Sequence, residues 1–428
     1  MNYEDLRTKF YNYLIELSHA EGINASGKNE VYGCIFGRDS FITILKILHA
    51  IERQPDEQLL AICKRSLLKH VELQGKESNI ESGEQPGKFI HEYRVANYER
   101  LTVNLPVPWY VYPDNKLRNY DSIDATPLAL IAIYKYWQVS GDNEFVLSVL
   151  PSVESGLNWL ITYGDMDKDI LLEYELPKAR SHGGLSVQSW TDSYESLTNI
   201  FGKLPPYPIA PVEVQGIAWL ALTIWADFYM NNSMGINNVI FGQKLHFQAQ
   251  KLKERFNDLY LLKNKGLWFA AQALNGRKEK ISTITANPLI CLWAAFSHDG
   301  KKECIIDEKY LGQLVERAFL PDMFVPNAGI RTMSEESPTF SASESSYHNG
   351  SFWPMLNGLI IEGLQNFGFE EKATKLHQAM LEPLLYFQMP IELYIEQNGN
   401  YLPFKNNDQT SCSIQAWSAA AAFDELSS

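Results

Sequence analysis

Two carboxylates, Asp192 and Glu195, stand close to the indole of Trp190 in the polar stretch Ser186-Val187-Gln188-Ser189-Trp190-Thr191-Asp192-Ser193-Tyr194-Glu195-Ser196. A carboxyl beside an apolar ring stays protonated more easily than one in water, so it can hand a proton to a leaving oxygen. An indole face also offers a surface on which the C–H face of a sugar ring can lie. The same mixture of charged, aromatic and turn residues recurs at Gly37-Arg38-Asp39-Ser40, Asp121-Ser122-Ile123-Asp124-Ala125-Thr126-Pro127, Tyr347-His348-Asn349-Gly350-Ser351-Phe352-Trp353-Pro354 and Met389-Pro390-Ile391-Glu392-Leu393. Each lies just ahead of a helical pattern. Together they have the chemistry of a carbohydrate-active enzyme.

The elements that must position these motifs are helices. Apolar residues recur at i, i+3, i+4 and i+7 in twelve segments, near 3–19, 38–53, 57–74, 125–140, 143–163, 212–232, 242–258, 286–298, 308–319, 351–367, 370–387 and 413–426. Credible strands are almost absent. Short links such as Gln54 to Asp56, Gly141-Asp142 and Gly368-Phe369 alternate with long ones at 20–37, 75–124, 164–211, 259–285, 320–350 and 388–412. This alternation predicts an all-α chain of six helical hairpins closed into a double ring, an (α/α)6 toroid, as one domain over 1–428. Long loops inside a compact domain are usually functional, and all six would emerge on one side. The more apolar even-numbered helices, such as Ile217-Ala218-Trp219-Leu220-Ala221-Leu222, would form the inner ring. Their N-termini would surround a single central pocket.

Composition excludes several other classes. Among 428 residues, 45% hydrophobic and 21% charged, there is ample material for a large core. A net charge of −14 disfavours nucleic acid and anionic membranes, which call for clustered Lys and Arg. The N-terminus Met1-Asn2-Tyr3-Glu4-Asp5-Leu6-Arg7 is charged and does not read as a secretory signal. The longest apolar run, Gly216 to Met230, contains Asp227 and falls short of the roughly 20 residues of a membrane span. Cys34, Cys63, Cys291, Cys304 and Cys412 are odd in number, scattered and without C-x-x-C spacing, so a reduced cytoplasm is the expected location. Asp165-Met166-Asp167-Lys168-Asp169 has the look of a calcium loop. Ile170 occupies the position where such a loop needs Gly, however, and no Glu closes it, so neither metal nor cofactor is expected.

Order and wording of the motifs resemble the amylo-α-1,6-glucosidase domain of glycogen debranching enzymes and related bacterial inverting (α/α)6 glycoside hydrolases. The matching pieces begin with Gly37-Arg38-Asp39-Ser40, Glu84-Gln85-Pro86-Gly87-Lys88-Phe89-Ile90-His91-Glu92-Tyr93-Arg94, Asp124-Ala125-Thr126-Pro127-Leu128 and Gln188-Ser189-Trp190-Thr191-Asp192-Ser193. They continue through Glu213-Val214-Gln215-Gly216, Thr285-Ala286-Asn287-Pro288, Gly329-Ile330-Arg331-Thr332, Tyr347-His348-Asn349-Gly350 with Trp353-Pro354, and Ser413-Ile414-Gln415-Ala416-Trp417-Ser418. They run colinearly from about residue 33 to 420. No β-rich domain and no transferase domain accompany the helices, so the chain reads as a stand-alone catalytic ring.

The resemblance implies roles. Inverting glycoside hydrolysis needs one protonated carboxyl on the leaving oxygen and one carboxylate that activates water on the opposite face. By resemblance the acid is Asp192, and the base comes from the last long loop, with Glu392 the family match and Glu396 its rival. Asp39 and Asp124 are expected on sugar hydroxyls, and His348 and Trp353 to close the subsite. Arg38, Trp190, Glu195, Gln215 and Glu396 complete the expected substrate-binding set. The expected reaction is release of glucose from α-linked, chiefly α-1,6-linked, units of oligosaccharides or glycogen-like glucans. A trehalase-like or rhamnosidase-like activity on the same fold, or sugar binding without turnover, stays open. So does the oligomeric state.

Overall fold

The computed structural model describes residues 2–103, 105–236, 238–407 and 409–427. The major helices are α1 (Tyr3–Glu16), α2 (Gly37–Arg53), α3 (Glu57–Glu72), α4 (Ala125–Ser140), α5 (Asn143–Thr162), α6 (Val212–Met230), α7 (Val239–Leu259), α8 (Ile290–Trp293), α9 (Glu308–Ala318), α10 (Pro354–Asn366), α11 (Glu370–Phe387) and α12 (Ala416–Glu425). Their ends follow from local chemistry. Asn2 and Asp5 form a reciprocal cap on α1, while the side chains of Asp56 and Asp142 accept the amides of Leu59 and Phe145 to start α3 and α5. Gly141, at φ 66°, ends α4 in the left-handed conformation that glycine adopts without steric cost.

Packing between helices closes a circuit. α2 packs on α4, α4 on α6, α6 on α8, α8 on α10, α10 on α12, and α12 returns to α2. Outside this circuit, α1 lies on α12, α3 on α2 and α4, α5 on α4, α7 on α6, and α11 on α10. α9 packs mainly on the strand Leu267–Ala270. Burial separates the two layers. Nearly all of α6 is buried, Glu213 and Gln215 included, whereas α1 buries only the stripe Leu6, Phe10 and Leu14. Inner helices touch neighbours on every side and must be apolar all round; outer ones need a single apolar face. At one point the inner helices are also tied by charge. Lys46 of α2, fully buried, pairs with Asp424 of α12 and lies 3.0 Å from Glu362 of α10.

Two expectations need correction. The loops are not free of strands: among the described residues eighteen short strands in eight small sheets line them, so "all-α" describes the scaffold and not the loops. Long connections must satisfy their own backbone N–H and C=O groups, and two- to four-residue hairpins do so. The three-stranded sheet of Ile35–Phe36, Glu92–Arg94 and Leu117–Asn119 is antiparallel, pairs Phe36 with Glu92 and Glu92 with Asn119, and binds the first long loop to the second. The segment expected to be helical over 286–298 is helical only as a 3-10 turn at Asn287–Leu289 followed by α8, and Phe296–His298 turns into a hairpin with Lys301–Glu303. α5 is long and apolar enough by length and composition to cross a membrane, yet it carries Pro151 and packs on α3 and α4.

Candidate active site

The site starts where α2 starts. The backbone at Gly37 runs so close to the second long loop that a Cβ there would lie 2.0 Å from the carbonyl oxygen of Ile90, and the Gly37 amide donates to the carbonyl of His91. That approach brings the first turn of α2 into the interior. Arg38 then reaches three partners: its Nε donates to Asp124 Oδ2 at 2.6 Å, Nη1 to Asp192 Oδ2 at 3.0 Å and Nη2 to the carbonyl of Ser189 at 2.9 Å. One guanidinium thus holds the loop of Asp192 to the start of α4. Gly37→Ala should displace this turn, since the obstructing atom is backbone and cannot swing away. We expect soluble but destabilised protein, by roughly 1–3 kcal/mol as for other overpacked sites, with activity reduced at least tenfold. Thermal unfolding and kcat/KM on the same preparation check this.

Twelve residues from four long loops and the helices that follow them enclose a narrow, solvent-connected pocket. Asp192 and Glu392 both line it, with Arg38 and Asp39. Glu392 is buried. It accepts a short hydrogen bond from the Tyr347 hydroxyl and a 2.9 Å bond from the Cys412 amide. Burial pushes its pKa up to about 7 against the pull of those donors. Asp192 is raised to about 6, again by burial, and Arg38 opposes the rise. Burial likewise raises Asp39 to about 7, and its Oδ1 accepts from Gln415 Nε2 at 2.9 Å.

Aromatic rings form the rest of the wall. His348 stacks on Trp353 at 5.1 Å and 11°, and Trp190 meets both edge-on. Trp417 packs edge-on against Trp353 as well. The Trp190 indole N–H donates to Asn287 Oδ1, and Ser193 Oγ lies 2.8 Å from His348 Nδ1. Burial drives the His348 pKa well below the ordinary value, so the ring is neutral. Three buried polar atoms of lining residues have no hydrogen-bond partner among the described residues: His348 Nε2, Gln415 Oε1 and Trp417 Nε1. Orphaned polar atoms are costly and rare in folded interiors. Three around one pocket suit a ligand that is itself dense in hydroxyl groups.

Of the residues singled out in the sequence, Arg38, Asp39, Trp190, Asp192, His348, Trp353 and Glu392 converge on this pocket. The others do not line it. Asp124 is buried behind Arg38, where it also accepts from the Ser122 hydroxyl. Gln215 bonds the backbone of Leu172 and Pro211 and so braces the start of α6. Glu195 is exposed, and Glu396 sits on the hairpin Tyr394–Gln397/Asn400–Pro403 accepting the Gly399 amide at 2.7 Å. Tyr32, Phe36, Tyr347, Gln415 and Trp417 were not singled out, and they complete the wall. Tyr347, Gln415 and Trp417 fall within motifs already recognised, but nothing in the types of Tyr32 and Phe36 separates them from core residues.

Among the described residues two groups are spaced to hold a metal ion, both outside the pocket. In one, made of His49, Glu362 and Asp424, the Lys46 ammonium already pairs with Glu362 and Asp424. In the other, the Asp165, Asp167 and Asp169 carboxylates cluster, and the Lys278 ammonium pairs with Asp167 at 2.9 Å and Asp169 at 3.2 Å. Each has a lysine where a cation would sit.

Residues 107–424 match the family model described as amylo-alpha-1,6-glucosidase, which spans most of the chain and takes in Asp192 and Glu392. The chain belongs to this family. It is a glycoside hydrolase. Solved structures similar to it over nearly their full length include a GH63 mannosylglycerate hydrolase from Thermus thermophilus in complex with Tris, at 16% identity and a TM-score of 0.65 over 98% of this chain and 99% of that one. The same hydrolase in complex with glucose gives 15% and 0.63 over the same shares. A structure described as a wild-type glycosidase gives 10% identity and 0.57 over 99% and 95%. At these identities the likeness concerns the fold. No curated protein matches the chain.

Proposed function

We propose that this glycoside hydrolase is an inverting, exo-acting enzyme that releases glucose from α-linked, chiefly α-1,6-linked, units of oligosaccharides or glycogen-like glucans. In this reading it works as one catalytic domain, its inner circuit and outer helices forming an (α/α)6 toroid, with Asp192 as acid and Glu392 as base. The observation that carries the reading is the pocket itself: two carboxylates from separate loops, an aromatic wall and three orphaned polar atoms around one narrow space. The five cysteines, all buried and unpaired, suit a reducing cytoplasm.

Asp192 gives its proton to the leaving oxygen as the glycosidic C–O bond breaks. Glu392 takes a proton from the water that attacks the anomeric carbon from the opposite face. The Tyr347 hydroxyl and Cys412 amide favour the ionised form of Glu392 against its burial. A bound sugar would remove solvent from Asp192 and favour its neutral form. In the free enzyme, about 6 for Asp192 and about 7 for Glu392 is the reverse of the order these roles need, so the active arrangement of the shared proton is the minor one. The sign of the pH dependence is unaffected. Rate is lost below the lower value, where both groups are protonated, and above the higher one, where both are ionised. kcat/KM should therefore trace a narrow bell with limbs near pH 6 and 7, read from initial rates across pH 4–9.

A second reading is favoured by the solved neighbours. One mannosylglycerate hydrolase structure holds D-glycerate and another glucose, and a small pocket suits a small glycoside as well as a glucan end. Initial rates on isomaltose, panose and branched limit dextrin, against trehalose, glucosylglycerate and mannosylglycerate, separate the readings. Free glucose from the first group supports the proposal, and turnover confined to the glycerates overturns it.

A further inference from the structure

Of the charged groups lining the pocket, Asp192 is the one open to solvent: its side chain is 27% exposed, against 3% for Arg38, with Asp39 and Glu392 buried. A leaving group must therefore depart on the Asp192 side. The chain that continues from Asp192 stands there. Ser193 is held to His348, Ser196 Oγ bonds back to the carbonyl of Thr191, and Gln272 and Asn349 donate to the carbonyls of Ser196 and Glu195. From this anchored base a tight turn at Asn199–Gly202 projects, and the Tyr194 hydroxyl donates to the Gly202 carbonyl at 3.1 Å. The turn is thereby tied to the side chain two positions past the acid.

That projection is apolar where a solvated loop tip should be polar. Tyr194 is 51% exposed, Ile200 64% and Phe201 77%. Singly exposed apolar residues are ordinary, but three large ones within eight residues, the first of them two positions past Asp192, form a surface that water covers poorly.

We propose that Tyr194 and Phe201 are the leaving-group platform, on which the C–H face of the departing sugar ring rests while Asp192 protonates its oxygen. This deepens the function proposed above and rests on it: it makes the preferred leaving group a sugar unit, not a small anion. A ring held there is also oriented, since the platform and the acid belong to one braced segment.

The test compares kcat/KM for isomaltose and panose, whose leaving groups are sugars, with that for α-glucosyl fluoride, whose leaving group is a halide. In Phe201→Ala the ratio of the first to the second should fall about tenfold or more, and Phe201→Trp should restore it. Such an exposed tip residue carries little of the fold, and the fluoride rate reports on the folded enzyme in each variant. Tyr194→Phe keeps the ring and should hold the ratio within about threefold, which separates stacking from the hydrogen bond to Gly202. An unchanged ratio in Phe201→Ala and in the Tyr194→Ala/Phe201→Ala double variant overturns the platform and leaves the proposed function intact. Wild-type protein inactive on the fluoride and on both oligosaccharides overturns both, and faster turnover of glucosylglycerate with no effect of Phe201→Ala shows the leaving group to be a small anion.

Discussion

Asp192→Asn is expected to lower kcat by about 10²–10⁴-fold on substrates with sugar leaving groups, the range that general-acid assistance supplies. The amide preserves shape, and its carbonyl oxygen can still accept from Arg38 Nη1, as Asp192 Oδ2 does at 3.0 Å. Loop position and pocket should survive, because the Arg38 bonds to Asp124 and to the Ser189 carbonyl are untouched. What disappears is the transferable proton. The loss should shrink on α-glucosyl fluoride, where fluoride departs with little need of protonation. A variant retaining more than about a tenth of wild-type kcat on isomaltose contradicts the assignment. Far-ultraviolet circular dichroism and oligosaccharide binding, both expected near wild type, separate lost chemistry from lost structure.

Glu392→Ala should be as damaging by another route. Removing the carboxylate leaves room beside the pocket, and azide bound there could attack the anomeric carbon from the face opposite the leaving group. Azide should restore cleavage of α-glucosyl fluoride and yield β-glucosyl azide. Truncation also strips an acceptor from the Tyr347 hydroxyl and the Cys412 amide, at a cost of about 1–3 kcal/mol for a buried donor left without a partner, so the melting temperature should fall as well. Glu396→Ala is the control. Its carboxylate caps the Gly399 amide on a hairpin away from the pocket lining, so activity should fall only modestly and azide should change nothing. Azide rescue of Glu396→Ala, with Glu392→Ala unresponsive, would move the base to the hairpin and leave Asp192 in place.

The scaffold was legible because helical periodicity is local. Every one of the twelve apolar segments contains a helix, and the alternation of short and long links placed the motifs at the N-termini of the inner helices. The segment 286–298 shows where the pattern misled: Pro288 opens a short helical stretch, and the chain past Ala294 gives up the helix for a hairpin. Short strands were invisible, since two or three residues carry no period and their pairing is set by partners far away in the chain.

Site residues were legible where the type is costly to bury. Arg38, Asp39, Asp192 and Glu392 stand out in a sequence because charge inside a core calls for a reason, and the pocket supplies it. Asp124 and Gln215 stand out equally, but their partners are protein groups: Arg38 for one, backbone of Leu172 and Pro211 for the other. From sequence, a buried polar residue that serves the fold cannot be told from one that serves a ligand. Tyr32 and Phe36 show the reverse, ordinary core types made part of the site only by convergence of loops.

The stereochemistry of the first product tests the inverting mechanism at its root, because it reports how water and the two carboxyls are arranged about the reacting carbon. Room for a water between acid and base corresponds to carboxyls roughly 6.5–9.5 Å apart and yields an inverted product, whereas a carboxylate attacking directly sits about 5–5.5 Å from the acid and yields retention. Proton NMR of isomaltose or α-glucosyl fluoride with the enzyme, recorded in the first minutes before mutarotation mixes the anomers, decides between them. With Asp192 as acid and Glu392 as base, β-glucose should appear first and α-glucose follow at the rate of spontaneous equilibration. Initial release of α-glucose would contradict the inverting mechanism.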